Sequence, residues 1–432
     1  MATCRCIGAC PFDARDGIAA MKVAIVGGGA AGLVTAYLLR GRHELTVFEA
    51  CNKLGGHVRT LGENVRCERV PPRVLLDAGV IEFDEHHFPS VGRLLDELKV
   101  ARRAAPGTTA LFLADGRHFR SLENIELGSG SWIERVAATA RVLPVAPQKR
   151  RFERRTQALS AAELHAHSIG DYLEAGTYAT WLRMLLMYAY SIPYAQTGNI
   201  PAALAVPVLR AFTGTVNWTA IVGGTYAYLR RITEATHARY LLDARIEAVS
   251  RAGGGVEIRL QSAETLRFDA VVFATPPDQV LKLLADPTPA ETRRFAGWRA
   301  NHIHTVIHTD ASLYARRRAG YFSEFDLFET PDGGAGYNAY LNRLAGLGPD
   351  HPVHYFLAYG LDHEIDPDSI VHEQAHHTPL YTVEALRYRV EVIETQGEGH
   401  TFHAGAWLGN GLHEGAVTSA VQVSRRLGGQ LL

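Results

Sequence analysis

The stretch that decides the fold is Lys22-Val-Ala-Ile-Val26-Gly27-Gly28-Gly29-Ala30-Ala31-Gly32. Its first five residues form a short apolar run rich in β-branched side chains, which predicts a buried parallel strand. The glycines follow at once, and Leu33 to Arg40 reads as a helix. Gly41-Arg42-His43 breaks that helix, and Leu45-Thr-Val-Phe-Glu49 predicts a second strand. Residues 22–49 therefore predict one compact βαβ unit. Within it, Gly27 permits a tight turn, Gly29 lets backbone approach a pyrophosphate, and Gly32 lets helix and strand pack closely. The helix N-terminus around Ala31 offers free N–H groups and a partial positive charge to phosphates. Glu49 lies 17 residues past Gly32, where a carboxylate can accept the ribose hydroxyls.

Immediately downstream, Leu54-Gly55-Gly56-His57-Val58-Arg59-Thr60 adds a second glycine pair, and Arg59 can add charge. A nicotinamide site does not need this second phosphate-facing loop. An acid followed by Gly-Gly and a cation resembles the glutathione-reductase-like FAD flavoproteins, in their amine-oxidase and phytoene-desaturase branch. That family usually has Arg directly after the glycines; here His57 stands there, which leaves His57 or Arg59 to take its place. Three later segments fit the same resemblance. Phe268-Asp269 through Pro276-Pro277 is similar to the strand and turn leading out of the FAD domain. Just before it, Arg245-Ile246-Glu247 matches the backbone laid against the adenine. Phe402-His-Ala404-Gly405-Ala406-Trp407 precedes a helix from about Gly415. The resemblance implies that this helix, around Ala416, aims its N-terminus at the flavin N1–C2=O edge, where a helix dipole stabilises the reduced anion. Trp407 is expected to pack near the flavin rather than react.

The fold class expected is α/β: a glutathione-reductase-like FAD-binding Rossmann domain with an interleaved α+β substrate domain. Residues 1–20 are expected to be a mobile extension. Residues 21–98, 236–285 and 396–432 are assigned to FAD binding, and 99–235 and 286–395 to the substrate. Residues 90–100 look helical, and Leu111–Ala114 and His118–Arg120 look like strands around Asp115-Gly116. Residues 130–235 read mostly as helix, punctuated by Pro193, Pro201 and Pro207. The basic run Lys149, Arg150, Arg151, Arg154, Arg155 lies there, either as a solvated helix face or as an anionic-partner patch. Strand patterns return between 240 and 275, in 300–360 and at Thr401–Ala404.

Further stretches narrow the family. Asp77-Ala-Gly79 through Leu98, Asn301 to Asp310, Tyr337 to Leu344 and Gly411-Leu-His413-Glu414 together resemble the NAD/FAD-binding flavoproteins encoded beside cyclopropane-fatty-acid synthase. In that family a second acid follows Glu414, where this chain has Gly415. Asn199 to Ala203 through Val222-Gly223-Gly224-Thr225 is similar, more loosely, to polyunsaturated fatty acid double-bond isomerases. The aromatic and apolar segment 181–212 (Trp181, Leu185, Met187, Tyr188, Tyr190, Phe212) either lines a lipid tunnel or packs a core.

The expected chemistry is hydride transfer between flavin N5 and an apolar unsaturated substrate, a fatty-acyl chain or polyene, free or carrier-bound. Isomerisation and desaturation stay open. Glu82, His413 and Glu414 are the candidate proton-handling groups. One alternative is a flavin amine oxidase. Lysine occurs only at 22, 53, 99, 149 and 282, so none follows Lys282 to serve near N5, and His302, His304 and His308 occupy the relevant strand instead. The other alternative is a redox-silent flavin-binding protein.

Composition closes off several classes. Lys plus Arg is 44 and Asp plus Glu 45, for a net charge of −1, which argues against phosphate-backbone binding as the main task. No apolar stretch reaches the ~18 residues of a membrane span. Asp13 and Asp16 interrupt any signal-peptide core, so the cytoplasm is the expected location. Five cysteines make no disulfide framework, and the spacing of Cys4, Cys6 and Cys10 fits no common metal pattern. His372-Glu373-Gln374-Ala375-His376 matches a zinc-protease pattern. Pro367 and Pro379 leave too little room for the helix that chemistry needs, so no metal is expected. Oligomeric state is not legible.

Overall fold

The computed structural model describes residues 19–127, 131–213, 217–251, 253–348 and 350–432. Cys4, Cys6, Cys10 and most of the expected N-terminal extension lie outside the described residues.

Lys22–Val26 is the middle strand of a five-stranded parallel sheet. Its order is Ala238–Leu241, Glu44–Phe48, Lys22–Val26, Ala270–Phe273 and Thr401–His403. Three separated stretches of chain thus meet in one sheet. The strands are short and apolar because both faces are covered. Val23 and Ile25 face one layer, with Ala31, Leu39, Ala416 and Val423 of the helices Ala30–Leu39 and His413–Arg426. Ala24 and Val26 face the other, with Val249, Val256 and Ile258 of the antiparallel meander Ile246–Ser250, Val256–Leu260, Thr265–Phe268. The period-2 alternation of a strand sorts these residues between layers. The architecture is a mixed α/β fold built on that sheet.

A seven-stranded mixed sheet forms the second half, in the order Ile370–Pro379, Ala300–His308, Phe356–Tyr359, Ala335–Tyr340, Phe325–Glu329, Thr109–Phe112, His118–Arg120. Helices Trp132–Val142, Ala146–Gln157, Thr177–Tyr190 and Ala202–Phe212 pack beside it. Two expectations change here. Pro207 lies inside a helix rather than ending one. The strand Trp218–Ile221 interrupts the helical region, pairing between Glu82–Asp84 and Arg102–Ala104. A lone segment of four residues carries too little periodicity to read from sequence. No helix among the described residues is long and apolar enough to cross a membrane.

Candidate functional site

The first glycine loop is shaped by its own backbone. Gly27 holds φ +113°, and a Cβ there would meet the Ala274 carbonyl oxygen at 2.7 Å. A Cβ on Gly32 would meet the Gly27 oxygen at 2.0 Å, so glycine is obligatory for helix-on-strand packing. Gly29 differs. Its φ of −82° is ordinary, and an added Cβ would only touch Gly56 Cα at 3.6 Å. Protein packing does not demand a glycine there, whereas a closely approaching pyrophosphate does. No side chain among the described residues caps the helix behind it. Ala31 is buried, facing the final helix.

Glu49 stands just past the tip of its strand. Its Oε2 accepts from Gly28 N at 2.9 Å, and its Oε1 from Cys51 N at 2.9 Å. Ala244 N donates to the Glu49 carbonyl, and Asp243 N to the Cys51 carbonyl. This lays the segment leading to half-buried Ile246 alongside the acid.

The second glycine loop sits directly on the first. Gly55 N donates to Gly28 O at 2.8 Å, and a Cβ on Gly56 would lie 2.9 Å from Gly29 Cα. Asn64, which the sequence did not single out, latches this loop. Its Nδ2 donates to Leu54 O and Val58 O at 3.0 and 2.9 Å. Arg59 lies near Glu49 and Cys51, and its Nη1 is buried with no partner among the described residues. A buried guanidinium nitrogen left unpaired is costly, and a diphosphate beside two glycine loops supplies the missing acceptor. The residues present therefore fit FAD. His57 does not stand in for that arginine clamp: its Nε2 bonds the His377 carbonyl oxygen at 2.8 Å, and burial lowers its pKa.

The C-terminal candidates fall into different roles. Gly405 N donates to Ser419 Oγ at 2.9 Å, and a Cβ at Gly405 would meet the Trp407 ring at 2.7 Å. Trp407 is buried in an aromatic group with Phe295, Trp298 and His403. The final helix begins at His413, two residues before the expected start. Asn410 Oδ1 accepts from Leu412 N and Gly415 N, both at 3.0 Å. Ala416 N bonds the Leu412 carbonyl, so its amide belongs to the helix and not to a ligand. Glu414 accepts from Ser90 N and Val91 N at 3.0 Å and so caps the helix Pro89–Glu97. That satisfies orphan amides and complements the helix dipole, which leaves Glu414 structural.

Glu82 differs from Glu414 in its surroundings. It is 8% exposed, its Oε1 accepts from Tyr188 OH at 3.2 Å, and its Oε2 has no partner among the described residues. Burial, reinforced by the nearby Glu324 carboxylate, pushes its pKa up to about 8. Tyr188 packs on Phe325, Tyr337 and Phe212, making an aromatic wall. The wall joins the cofactor loops through one short segment. Ala78 N donates to Arg59 O at 2.8 Å, and a Cβ on Gly79 would meet His57 O at 2.0 Å. His413 bonds Tyr228 OH at 2.6 Å and touches Phe83; burial pushes its pKa down to about 4.

The histidines are sorted by strand geometry. His372 to His376 lies on the strand Ile370–Pro379, so its two histidines share a face with Gln374 while Glu373 points the other way. The helix presumed by the zinc pattern does not form. His376 instead faces His57 at 5.8 Å between ring centroids and bonds Thr305 Oγ1 at 3.1 Å. Burial pushes its pKa down to about 3. On Ala300–His308, His302 and His304 are exposed, while Asn301, Ile303 and Thr305 are buried. His308 is buried against Asn338. This strand therefore buries Asn301, Ile303 and Thr305 on the face opposite His302 and His304, and the histidine beside Thr305 is His376 from the neighbouring strand.

Comparisons with known proteins agree with this geometry. Residues 30–309 match the family model described as flavin containing amine oxidoreductase. An L-glutamate oxidase precursor of Streptomyces viridosporus is 39% identical over 88 residues, 19% of this chain and 13% of that protein. This chain thus spans only a small part of that relative's length. A double mutant of putrescine oxidase superposes with a TM-score of 0.66 at 13% identity, covering 95% of this chain and 99% of that one. The CLA-producing fatty acid isomerase from P. acnes gives 0.64 at 15% identity, with the same coverage. At these identities the structures speak for the fold alone.

Proposed function

The chain belongs to the flavin containing amine oxidoreductase family, and from that premise we propose that it is an FAD-dependent oxidoreductase or double-bond isomerase acting on an apolar unsaturated chain. In this reading residues 21–98, 236–285 and 396–432 hold FAD, and 99–235 and 286–395 hold the substrate. The narrower likeness to flavoproteins encoded beside cyclopropane-fatty-acid synthase points to acyl chains.

The observation that carries the reading is the neutrality of the wall that meets the cofactor loops. At neutral pH Glu82 is held as the uncharged acid, and His376 and His413 as uncharged imidazoles. Tyr188, Tyr337 and Phe325 supply the apolar surface. Of the acids at this wall, Glu82 is uncharged and Glu324 is already engaged by Thr108 and Arg343, so an alkene chain, which needs no counter-ion, suits it. Bound FAD supplies hydride acceptance and return. The chain's own residues position the substrate, exclude water and move one proton at Glu82 Oε2. If a proton leaves the carbon beside the one that lost hydride, the ionised Glu82 accepts it and a double bond is gained. If the hydride returns at another carbon, the double bond has moved.

Anaerobic mixing of the holoenzyme with unsaturated fatty acids, polyenes and primary amines tests this. Flavin bleaching or a shifted double bond with the acyl or polyene compounds is expected, and none with amines. Bleaching by amines alone would establish the amine-oxidase alternative. No spectral or product change with any compound would leave a binding protein.

A further inference from the structure

We propose that the outward face of the helix Trp132–Val142, together with the arginine-rich helix that follows, is a docking surface for an anionic lipid bilayer. Trp132, Ile133, Val136 and Leu143 are 74%, 62%, 59% and 65% exposed. The other exposed large hydrophobics among the described residues, Val222, Leu242, Val390 and Leu431, are dispersed along the chain, so this cluster stands apart. At ~100° per residue, Trp132, Val136 and Leu143 fall on one side with Ile133 beside them, opposite the half-buried Ala138 and Val142. The helix thus turns its larger apolar groups away from the protein, the reverse of an ordinary surface helix.

Helix Ala146–Gln157 continues from it through the turn Leu143–Val145. Phe152 and Thr156 point inward, and Arg150, Arg151, Arg154 and Arg155 are exposed. Arg151 and Arg155 share Glu174, while Arg150 and Arg154 have no acidic partner among the described residues. Against a whole-chain charge of −1, this is a local excess.

Charge selects the occupant. Lipid phosphates pair the arginines while acyl chains take up the tryptophan and aliphatic groups. A second copy of the chain would bring like charges together, and an acidic carrier protein would leave the aliphatic groups in water. The surface is braced on the helices Thr177–Tyr190 and Ala202–Phe212. Gln148 Oε1 accepts from Tyr178 N at 3.1 Å, and Lys149 Nζ donates to Thr213 O at 3.2 Å. Tyr178 opens the helix that carries Tyr188. The inference goes beyond the substrate reading and does not rest on it, because binding is measured without turnover.

The test is sedimentation of the full-length holoenzyme with phosphatidylcholine vesicles, with and without phosphatidylglycerol. Binding about tenfold tighter to the anionic vesicles, reversed by high salt, is expected. The triple variant Trp132→Ser, Val136→Ser, Leu143→Ser should lose about tenfold or more while keeping its flavin spectrum and thermal unfolding. Arg150→Ala with Arg154→Ala should remove most of the preference for anionic lipid. Absence of sedimentation with either vesicle, or equal binding by the triple variant, overturns the proposal. So does self-association, or capture of an acidic acyl carrier protein, that the triple variant abolishes when the parent ignores vesicles.

Discussion

The cofactor loops and the Glu82 wall border the same region but are built from different materials. The loops are backbone on backbone: Gly55 bonds Gly28, Gly56 lies on Gly29, and Gly32 lies on Gly27. The wall is side chain on side chain: Tyr188 on Phe325 and Tyr337, and Tyr188 on Glu82. Backbone packing tolerates no added atom, so the loops are brittle and their task is retention of FAD. Side-chain packing tolerates exchange, so the wall can change its lining without loss of the fold.

Four substitutions sharpen that contrast, in falling order of effect. Gly32→Val should abolish folded holoprotein, because its Cβ would sit 2.0 Å from the Gly27 oxygen; soluble, flavin-loaded variant on purification would refute the loop argument. Glu82→Gln should leave flavin content intact and lower turnover by about 10²–10⁴. Its stability effect runs the other way. The folded carboxyl titrates near 8, above the ordinary value of about 4.3. Its contribution is therefore full below the unfolded pKa and is lost as pH rises through about 8. The Gln variant should accordingly gain in Tm over the parent from pH 5 toward pH 8 on thermal scans, and an equal gain at pH 4 would contradict the assignment. Because the ionised carboxylate is the form that accepts the proton, parent desaturation should rise as pH rises through about 8.

Arg59→Met should weaken FAD retention by about one to two orders of magnitude while leaving the fold intact, since its Nη1 has no partner to lose among the described residues. Flavin release followed by fluorescence measures this, and unchanged affinity would separate Arg59 from the phosphates. Glu414→Gln should cost about 1–2 kcal/mol in denaturant unfolding, the value of a charged helix cap, with turnover nearly unchanged. A large loss of turnover with normal stability would return Glu414 to the chemistry.

The same contrast explains what could be read in advance. Gly27, Gly32 and Glu49 were legible because a tight turn, a helix–strand contact and a strand-tip acid impose fixed spacing within 28 residues, from Lys22 to Glu49. Glu82 was legible only as one candidate among three, because nothing local distinguishes it from Glu414. One became a helix cap through contact with Ser90, 324 residues away in sequence; the other was stranded in an apolar wall. His376 was discounted with the false zinc pattern, and its place beside His57 depends on a strand register with Ala300–His308 that no local signal encodes. The excess of histidine has a partial account in the His57–His376 ring pair and in His413, which bonds Tyr228.

By itself, then, the sequence determined the dinucleotide half: the βαβ unit, the glycine loops, the FAD cofactor and the family. Those features rest on backbone constraints between near neighbours, which only a few residue types satisfy. The tertiary structure alone decided which acid caps a helix and which is buried with an unpartnered oxygen, which histidines are buried, and which helix turns its apolar groups outward. Burial and orientation arise from contacts across hundreds of residues, and the electrostatic character of a side chain follows from them rather than from its neighbours in the chain.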